Sequence, residues 1–435
     1  MSVPSAAASA STWSRASPAY QVALVAMLSV NFGIVFFDRN ALGFLMPFVQ
    51  PDLHLSNTQV GLLSSALSLT WAFAAFGIGV VSDRTGSRKG LLLATTVLFS
   101  ACSFLSGIAA SFAVLLGARL LMGVAEGGNM PIAQSIIASE VRPEHRGIAM
   151  GVTQNFGSNL LGSFVAPVVL ANFAMAHGWR HAFFLAGVPG LVMAALLWKF
   201  LDRDAGAPPT ASAAAAKAGA PRQSLGAALA ALADRNVVLC ASMAVFLVSY
   251  LVVCWAFMPL YLVNVRHYSA GTEGWLMGTL GISATIGSFV VSGLSDRIGR
   301  RPLMILLPFL GVILPLGAIY YMGSAWVLAA IFFFGWALTG VFPLFMATVP
   351  AESVSPALRA SALGLCMGTG ELIGGVFSPS LAGIAADHTS LAAPLWIMVG
   401  LAVVGGLLAL GLRETAPRVL ASRGAATDIV KRSPA

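Results

Sequence analysis

Charged residues are scarce in this chain of 435 residues, because Asp, Glu, Lys and Arg make up only 9% of it whereas hydrophobic residues make up 58%. A soluble domain carries about 25% charged residues. The apolar runs do not alternate with polar residues, which excludes the strands of a membrane barrel. Instead, continuous apolar runs of about 20 residues recur from end to end, and each can cross a bilayer core. These features predict an all-α polytopic membrane protein.

Cysteine is also rare, and nothing in the sequence indicates a reaction centre. The four cysteines lie in apolar runs and have neither metal-site spacing nor paired loop positions; they are Cys102, Cys240, Cys254 and Cys366. The chain has no nucleophile–base arrangement and no phosphate-binding loop. We therefore expect a protein that is not an enzyme and that holds no metal or organic cofactor.

The apolar runs predict twelve membrane spans. They lie near residues 19–48, 57–81, 89–110, 112–138, 146–171, 181–201, 236–264, 270–294, 302–321, 324–349, 359–386 and 390–412. The chain is thus divided into a disordered tail over 1–18, a six-helix bundle over 19–201, a linker over 202–235, a second six-helix bundle over 236–412 and a tail over 413–435.

The net charge of +8 is explained by membrane topology rather than by nucleic-acid binding. All but four of the 24 Lys and Arg residues fall in the tails or in one set of loops; the exceptions are Arg39, Arg119, Arg180 and Arg266. Positive residues are retained on the cytoplasmic side of a membrane. We therefore expect both termini and the linker to lie in the cytoplasm. We also expect a monomer in the cell inner membrane.

Two short motifs occur twice at the same offset. Asp-Arg-x-Gly-x-Arg occupies residues 83–88 after the second span and 296–301 after the eighth. Pro-x-x-Arg-x-x-Ala-x-Gly begins at 143 and again at 356, and both pairs are 213 residues apart. Two unrelated motifs with one offset indicate two halves in parallel register, which is a plan known among transporters.

The first repeated motif predicts a latch that holds one face of the helix bundles. Its glycines permit tight turns, and its acids can pair with basic groups or helix N-termini of neighbouring spans. The alternative is that its charges only enforce topology. The expected latch residues are Asp83, Arg84, Gly86, Arg88, Asp296, Arg297, Gly299 and Arg301.

The motifs resemble the signatures of the major facilitator superfamily. The resemblance covers the whole chain and rests on Gly79-x-x-x-Asp83-Arg84-x-Gly86-x-Arg88-Lys89, its second copy and Arg119-x-x-x-Gly123. Within that superfamily, Asp38-Arg39, Glu126 and Trp179-Arg180-x-x-Phe183 are similar to the anion:cation symporter family. This resemblance implies proton-coupled uptake of sugar acids or other organic carboxylates.

Two departures from that family concern the substrate. Phe36 stands where the family often has tyrosine, so an aromatic hydroxyl is missing. Gln154-Asn155 is followed by Gly157, without the further glutamine that sugar-acid members can carry. A less hydroxylated or aromatic carboxylate is therefore left open beside a sugar acid.

Five charged residues lie inside apolar spans, where each costs about 2.5–3.5 kcal/mol. They are Asp38, Arg39, Arg119, Glu126 and Glu371. Arg119 and Glu126 are seven residues apart, which places both on one helix face, about 10 Å apart along the axis. The residues that lie 213 positions after Arg39, Arg119 and Glu126 are all uncharged. These three charges therefore belong to the first half alone. Buried charges of this kind predict a polar pathway for an ion or a charged solute.

We assign the four charges of the first half as follows. Arg39 binds a substrate carboxylate through paired hydrogen bonds, Asp38 and Glu126 carry protons, and Arg119 holds or releases one of these acids. In the family that the chain resembles, acids at the matching positions are the protonation sites and the first-span arginine binds the anion. The alternative is a self-neutralising ion network that only braces the first and fourth spans.

Glu371 has several possible roles, as a third proton site, a substrate contact, a cap of a broken helix or a partner of Arg359. The other expected substrate-binding residues are Asn31, Gln154, Asn155, Tyr250 and Trp336, although the aromatic pair can equally be ordinary packing. The predicted function is import of a small organic anion by proton symport through alternating access, with H⁺ as the coupling ion. The alternative is a proton-coupled efflux antiporter for drugs or metabolites.

Overall fold

The computed structural model describes residues 17–85, 87–142, 145–201, 234–355 and 358–421, apart from the side chains of residues 76, 79, 80, 83–85 and 360. All regular secondary structure among these residues is helical. The predicted tails and linker lie outside the described residues except at their inner edges.

Twelve helices follow one another in this part of the chain, and each coincides with one predicted span. The first half consists of α1 (Pro18–Asp52), α2 (Asn57–Thr85), α3 (Arg88–Gly107), α4 (Phe112–Gly127 and Asn129–Glu140), α5 (Arg146–His177) and α6 (Trp179–Phe200). The second half consists of α7 (Arg235–Val265), α8 (Ala270–Ile298), α9 (Arg300–Tyr320), α10 (Ala325–Ser353), α11 (Arg359–Thr369, Gly370–Gly375 and Val376–His388) and α12 (Ala393–Leu410).

Several helices begin at side chains that cap them. Ser17 accepts a hydrogen bond of 3.2 Å from the backbone N–H of Tyr20, and Pro18 occupies the first turn of α1. Asp234 accepts from the backbone N–H groups of Asn236 at 2.8 Å and Val237 at 3.1 Å at the start of α7. These caps satisfy backbone donors that have no partner within the helix, so the helices begin where the sequence provides an oxygen.

Nine helices of the described residues are long and apolar enough to cross a membrane without interruption. The other three are α2, α4 and α11, of which α4 is divided at Gly128. Helix α11 contains a π-helical segment, Gly370–Gly375, and α5 contains two such segments. π-Helical turns occur frequently at functional sites, and the sequence analysis did not predict them.

Within each half the helices form one bundle, and the two bundles meet mainly along three pairs of helices. In the first half α2 packs on α4, α3 on α6 and α1 on α5; in the second, α7 packs on α12, α9 on α12 and α8 on α10. The seam between the halves is formed by α2 with α11, α5 with α8 and α1 with α7. The predicted fold class, an all-α membrane protein of two bundles, is therefore confirmed.

We call the end of the molecule that holds Pro18, Phe200 and Arg235 the linker face, and the opposite end the far face. Near the far face the halves approach so closely that only glycine fits. A Cβ on Gly61 of α2 would lie 2.1 Å from the carbonyl oxygen of Pro379 on α11. A Cβ on Gly274 of α8 would lie 2.7 Å from the carbonyl oxygen of Pro167 on α5.

A carboxylate reinforces the contact between α2 and α11 at the far face. Asp387, near the end of α11, accepts hydrogen bonds from the backbone N–H groups of Asn57 at 2.9 Å and Thr58 at 2.7 Å. The second half thus caps the first turn of a helix in the first half. Together with the glycine contacts, this bond closes the far face in the conformation described here.

We expect Gly61→Ala to separate α2 from α11 at the far face, because its Cβ would overlap a backbone oxygen that has no flexible end to move. Overpacking of this kind typically costs about 1–3 kcal/mol. The midpoint of thermal unfolding in detergent should therefore fall.

Gly77→Ala is the matched control for that substitution. It lies on the same helix, and a Cβ there would meet nothing within 4 Å. We expect this control to match or exceed the wild-type midpoint, because alanine favours the helix. Equal midpoints for the two variants would contradict the proposed close contact.

Candidate functional site

Arg39 lies near the middle of α1 and is half-buried beside two aromatic rings. Its Cζ atom is 5.2 Å from the ring centre of Trp71 on α2 and 5.6 Å from that of Phe36 on α1. Contact with ring faces holds a guanidinium without using its hydrogen-bond donors. Its N–H groups donate to no side chain or carbonyl among the described residues, so they remain available to a carboxylate.

Asp38 is fully buried although it is the neighbour of Arg39 in the chain. Its Oδ1 atom accepts a hydrogen bond from the hydroxyl of Ser103 on α3. Its Oδ2 atom is buried and has no hydrogen-bond partner in the part of the chain that the structure describes. Consecutive residues on α1 therefore present a cation to partly open space and an acid to the interior of the bundle.

Arg119 and Glu126 lie on one face of α4, as their spacing predicted, and both are buried. Arg119 donates from Nη1 to the carbonyl oxygen of Arg39 at 3.4 Å, and its Cζ atom lies 5.7 Å from the ring centre of Phe183 on α6. Its Nε and Nη2 atoms, and both carboxylate oxygens of Glu126, have no hydrogen-bond partner among the described residues.

These four side chains influence one another through space rather than through direct ion pairs. The charges of Asp38 and Glu126 act on Arg119, and those of Arg39 and Asp38 act on Glu126. None of these acids forms an ion pair with a basic group of the described ranges. A network that only braced α1 against α4 would be expected to contain direct pairs, because burying separated charges costs several kcal/mol per ion.

Gly123 brings α4 close to α2 at the level of this cluster. A Cβ at this position would lie 2.1 Å from Oγ1 of Thr70 and 2.4 Å from the carbonyl oxygen of Leu67. The helix that Gly123 admits is therefore α2. This contact places Trp71, and therefore the Arg39 guanidinium, beside α4.

Two expected substrate-binding residues are buried and bonded within the protein in this conformation. Asn31 is fully buried and donates to Oδ1 of Asn129 at 3.1 Å, while Thr96 donates to Asn31 at 3.4 Å. Tyr250 is fully buried and donates to the carbonyl oxygen of Gly311 at 2.8 Å. Direct contact between a solute and either side chain would require these bonds to open.

The remaining expected contacts differ in exposure. Trp336 is 1% exposed, with its ring centre 5.3 Å from that of Trp255 and 6.0 Å from that of Tyr250. Asn155 donates to the carbonyl oxygen of Gly151 at 3.2 Å, and Gln154 is exposed. Among Tyr250, Trp255 and Trp336, only Trp255 is partly exposed. Its ring centre is 5.7 Å from that of Phe44 on α1, so it lies at the seam between the halves.

Glu371 lies in the π-helical segment of α11, close to α2 of the first half. The point that a Cβ of Gly375 would occupy is 3.2 Å from Oε2 of Glu371 and 3.5 Å from the Ser68 side chain. The charge of Arg39 acts on Glu371 across the seam. The suggested pairing with Arg359 is wrong, because Arg359 donates to the carbonyl oxygen of Ala351 at 3.1 Å.

At the linker face of the second half, a charge cluster surrounds the expected latch motif. Arg300, which the sequence analysis missed, bonds Asp296 at 2.5 Å and Glu352 at 3.1 Å. Gly299 adopts a φ of 112°, which favours glycine, and Arg301 donates to the carbonyl oxygen of Leu410 at 2.9 Å. Arg297 is exposed beside this cluster.

Glu414, in the segment after α12, also contacts the charge cluster around Arg300, which we call the latch cluster. It accepts hydrogen bonds from the backbone N–H groups of Arg300 at 2.8 Å and Arg301 at 3.2 Å, at the start of α9. In the first half, Arg88 donates to the carbonyl oxygen of Ser135 at 3.4 Å. Gly86 and the side chains of Asp83 and Arg84 lie outside the described residues.

Two further acids were not singled out from the sequence. Glu273 is fully buried one turn into α8, and neither of its oxygens has a hydrogen-bond partner among the described residues. Asp52 accepts from Arg180 at 2.6 Å and from Trp179 at 3.1 Å, so the Trp-Arg motif joins α6 to the end of α1. Both acids lie near helix ends, where charged residues are common, and the sequence therefore gave no signal for them.

The fold and the buried polar cluster define a helical membrane transporter, and the comparisons agree. The profile of the Major Facilitator Superfamily matches residues 28–365 and again residues 253–434. The chain belongs to this superfamily. A bacterial homologue of the human lysosomal transporter Spinster, in an inward-facing and unoccupied conformation, superimposes with a TM-score of 0.73 at 19% identity over 91% of this chain and 98% of that one.

Relatives with related sequences are organic-anion transporters, in agreement with the resemblance to anion:cation symporters. The "Hexuronate transporter" of Bacillus subtilis (strain 168) is 30% identical over 62% of this chain and 64% of its own length. The "Probable 4-methylmuconolactone transporter" of Cupriavidus pinatubonensis is 30% identical over 62% of each chain. Matches to these two thus span somewhat less than two thirds of their length. The "3-(3-hydroxy-phenyl)propionate transporter" of Escherichia coli (strain K12) is 29% identical over 80% of this chain and 82% of its own length.

The latch cluster makes the stability of the linker face depend on pH. Burial alone would raise the pKa of Glu414, but hydrogen bonds from the backbone N–H groups of Ala416, Arg300, Arg301 and Thr415 outweigh it and hold this pKa below the ordinary 4.5. A lowered pKa means that the contribution to stability is present above pH 4.5 and is lost as the pH falls below that value.

We therefore expect the thermal midpoint in detergent to fall more steeply below pH 4.5 for the wild type than for Glu414→Gln, whose side chain carries no titrating proton. Glu140→Gln on α4 is a comparison for the general effect of removing an acid. Parallel pH profiles for the wild type and Glu414→Gln would contradict this role of Glu414.

Proposed function

We propose that the chain is a secondary active transporter that imports an organic anion together with protons by alternating access. The observation that supports this most strongly is the contrast between two consecutive residues, the partly exposed Arg39 and the buried Asp38. Arg39 is partly exposed and its donors have no acceptor, whereas Asp38, Glu126 and Arg119 lie buried behind it without direct ion pairs. A substrate carboxylate can reach the first of these groups, and protons can neutralise the acids among the rest.

The surroundings of Arg39 favour a planar carboxylate. A guanidinium offers two parallel N–H donors that match the two oxygens of a carboxylate. The rings of Trp71 and Phe36 beside it provide apolar surface rather than hydroxyl groups. An aromatic acid suits this surface better than a polyhydroxylated sugar acid, although relatives are named for both classes.

Charge balance at the cluster gives a reason for proton coupling. With all groups ionised, the two acids and two arginines of the first half sum to zero, and a bound monoanion leaves one negative charge. One proton on Asp38 or Glu126 restores neutrality. A second proton makes the loaded carrier positive, and a membrane potential that is negative inside would then favour import by about 2.3 kcal/mol per 100 mV.

Alternating access follows from the seam. The far face is closed by the glycine contacts and by Asp387, so opening it requires α2 and α5 to separate from α11 and α8. Rocking of two parallel halves about a central site is the motion expected of this architecture. We place the linker face in the cytoplasm of a cell whose inner membrane holds the protein, on the basis of the positive residues.

We expect Glu126→Gln to lower proton-driven accumulation strongly while leaving substrate exchange measurable, because the glutamine cannot bind or release a proton and only Asp38 still can. Uptake into proteoliposomes with an inward proton gradient should fall by about tenfold or more. The probes are glucuronate, 4-hydroxybenzoate and 3-(3-hydroxyphenyl)propionate.

Glu273→Gln is the matched control, since Glu273 is equally buried and lies outside the cluster of Asp38, Arg39, Arg119 and Glu126. It should retain accumulation. Intact accumulation in Glu126→Gln would show that this carboxyl is not a coupling group. A proton gradient that drives a probe out of loaded vesicles would instead favour an efflux antiporter.

We expect Arg39→Lys to weaken carboxylate binding while preserving the charge. The ammonium group loses the paired donor geometry, which is worth roughly 1.5–3 kcal/mol for a charge-assisted hydrogen bond, or about a ten- to hundredfold rise in KM for exchange. Arg180→Lys, at the far face, is the control. An unchanged KM in Arg39→Lys would rule out recognition of the carboxylate by Arg39.

A further inference from the structure

Glu371 is a partly buried acid whose carboxylate is incompletely hydrogen-bonded. Its Oε2 atom is buried and has no hydrogen-bond partner among the described residues. It lies in the second half, whereas Asp38, Arg39, Arg119 and Glu126 all lie in the first. The π-helical segment that carries it has an altered backbone register, which re-aims a side chain relative to a regular helix.

Ser68 and Trp71 of α2 lie between this acid and Arg39, the cation that the proposed function assigns to the substrate. Oε2 of Glu371 and the side chain of Ser68 on α2 both lie within 3.5 Å of the same point beside Gly375. Trp71, whose ring contacts Arg39, lies three residues further along α2, one turn from Ser68 and on the same side of the helix. The charge of Arg39 accordingly acts on Glu371.

Gly375 leaves room for this approach. A Cβ there would lie 3.2 Å from Oε2, so the carboxylate would have to shift by a few tenths of an ångström, whereas the 3.5 Å to Ser68 is an ordinary contact. The carboxylate thus lies between its own helix and Ser68 of α2. The opposite charge that acts on it is that of Arg39, which the proposed function assigns to the substrate.

We propose that Glu371 takes the place of the substrate carboxylate when the carrier is empty. This inference rests on the proposed function of Arg39. A transporter that works by net uptake must return empty, and an unneutralised Arg39 in the seam opposes that step because its charge would be enclosed without a partner. Attraction between Glu371 and Arg39 draws the halves together, so the empty carrier can close and return. An arriving substrate carboxylate competes with Glu371 for the guanidinium.

The proposal predicts a difference between two fluxes in Glu371→Gln. Efflux of a preloaded probe into buffer without substrate requires the empty carrier to return, whereas exchange against external substrate does not. We expect the ratio of net efflux to exchange to fall by about fivefold or more, and the KM for exchange to decrease because an internal competitor has been removed. Both fluxes are measured in proteoliposomes with radiolabelled 4-hydroxybenzoate or glucuronate and no proton gradient.

Two further variants keep the test decisive. Glu371→Asp retains the charge and should retain more net efflux than Glu371→Gln. Gly375→Ala displaces the carboxylate by its added methyl group and should lower the same ratio even if Glu371→Gln folds poorly. A parallel loss of both fluxes, or an unchanged ratio, in these variants would overturn the proposal.

The same assay separates this inference from the proposed function. A wild-type protein that exchanges a probe but does not accumulate it in response to a proton gradient contradicts proton symport alone. The ratio of efflux to exchange can still be compared in that case, because neither flux needs the gradient. Equal ratios of net efflux to exchange in the wild type and in Glu371→Gln contradict only the role of Glu371.

Discussion

Burial of unpaired charge is the constraint on which the rest of this structure depends. Asp38, Arg119 and Glu126 are enclosed by helices, and their opposite charges act through space without forming direct ion pairs. Ions removed from water cost several kcal/mol each unless good geometry compensates for them. The bundle must therefore be rigid enough to hold these groups and must also supply a partner during the transport cycle. In the proposed mechanism, a proton on an acid and an anion on Arg39 provide that partner.

Close helix contacts supply the rigidity. Gly123 lets α4 approach α2, and Gly61 and Gly274 let the halves meet at the far face. Small residues favour such packing in membranes, where apolar burial gives no net drive between helices. The linker face is held differently, by the bonds among Arg300, Glu352 and Glu414.

The sequence predicted the helices and the charged cluster because both depend on local pattern. Apolar run length marks the spans, and seven-residue spacing puts Arg119 and Glu126 on one face. Partners in space were not predictable from spacing. Periodicity did not reveal that Asn31 bonds Asn129 or that Tyr250 bonds the backbone of Gly311. Arg300 was missed because the repeat offset aligns it with Ser87, so the internal repeat gave it no weight. The proximity of Glu371 to α2 depends on a π-helical segment that the sequence did not reveal.

The central claim is that protons enter the buried acids as an anion enters at Arg39. Its most direct test is the number of protons that enter the vesicle with each transported anion. Wild-type protein in vesicles that contain a trapped pH indicator would be supplied with radiolabelled 4-hydroxybenzoate or glucuronate, and acidification of the lumen would be compared with uptake. We predict acidification that requires the substrate, with at least one proton for each anion. Uptake of the anion without any change in internal pH would contradict the account.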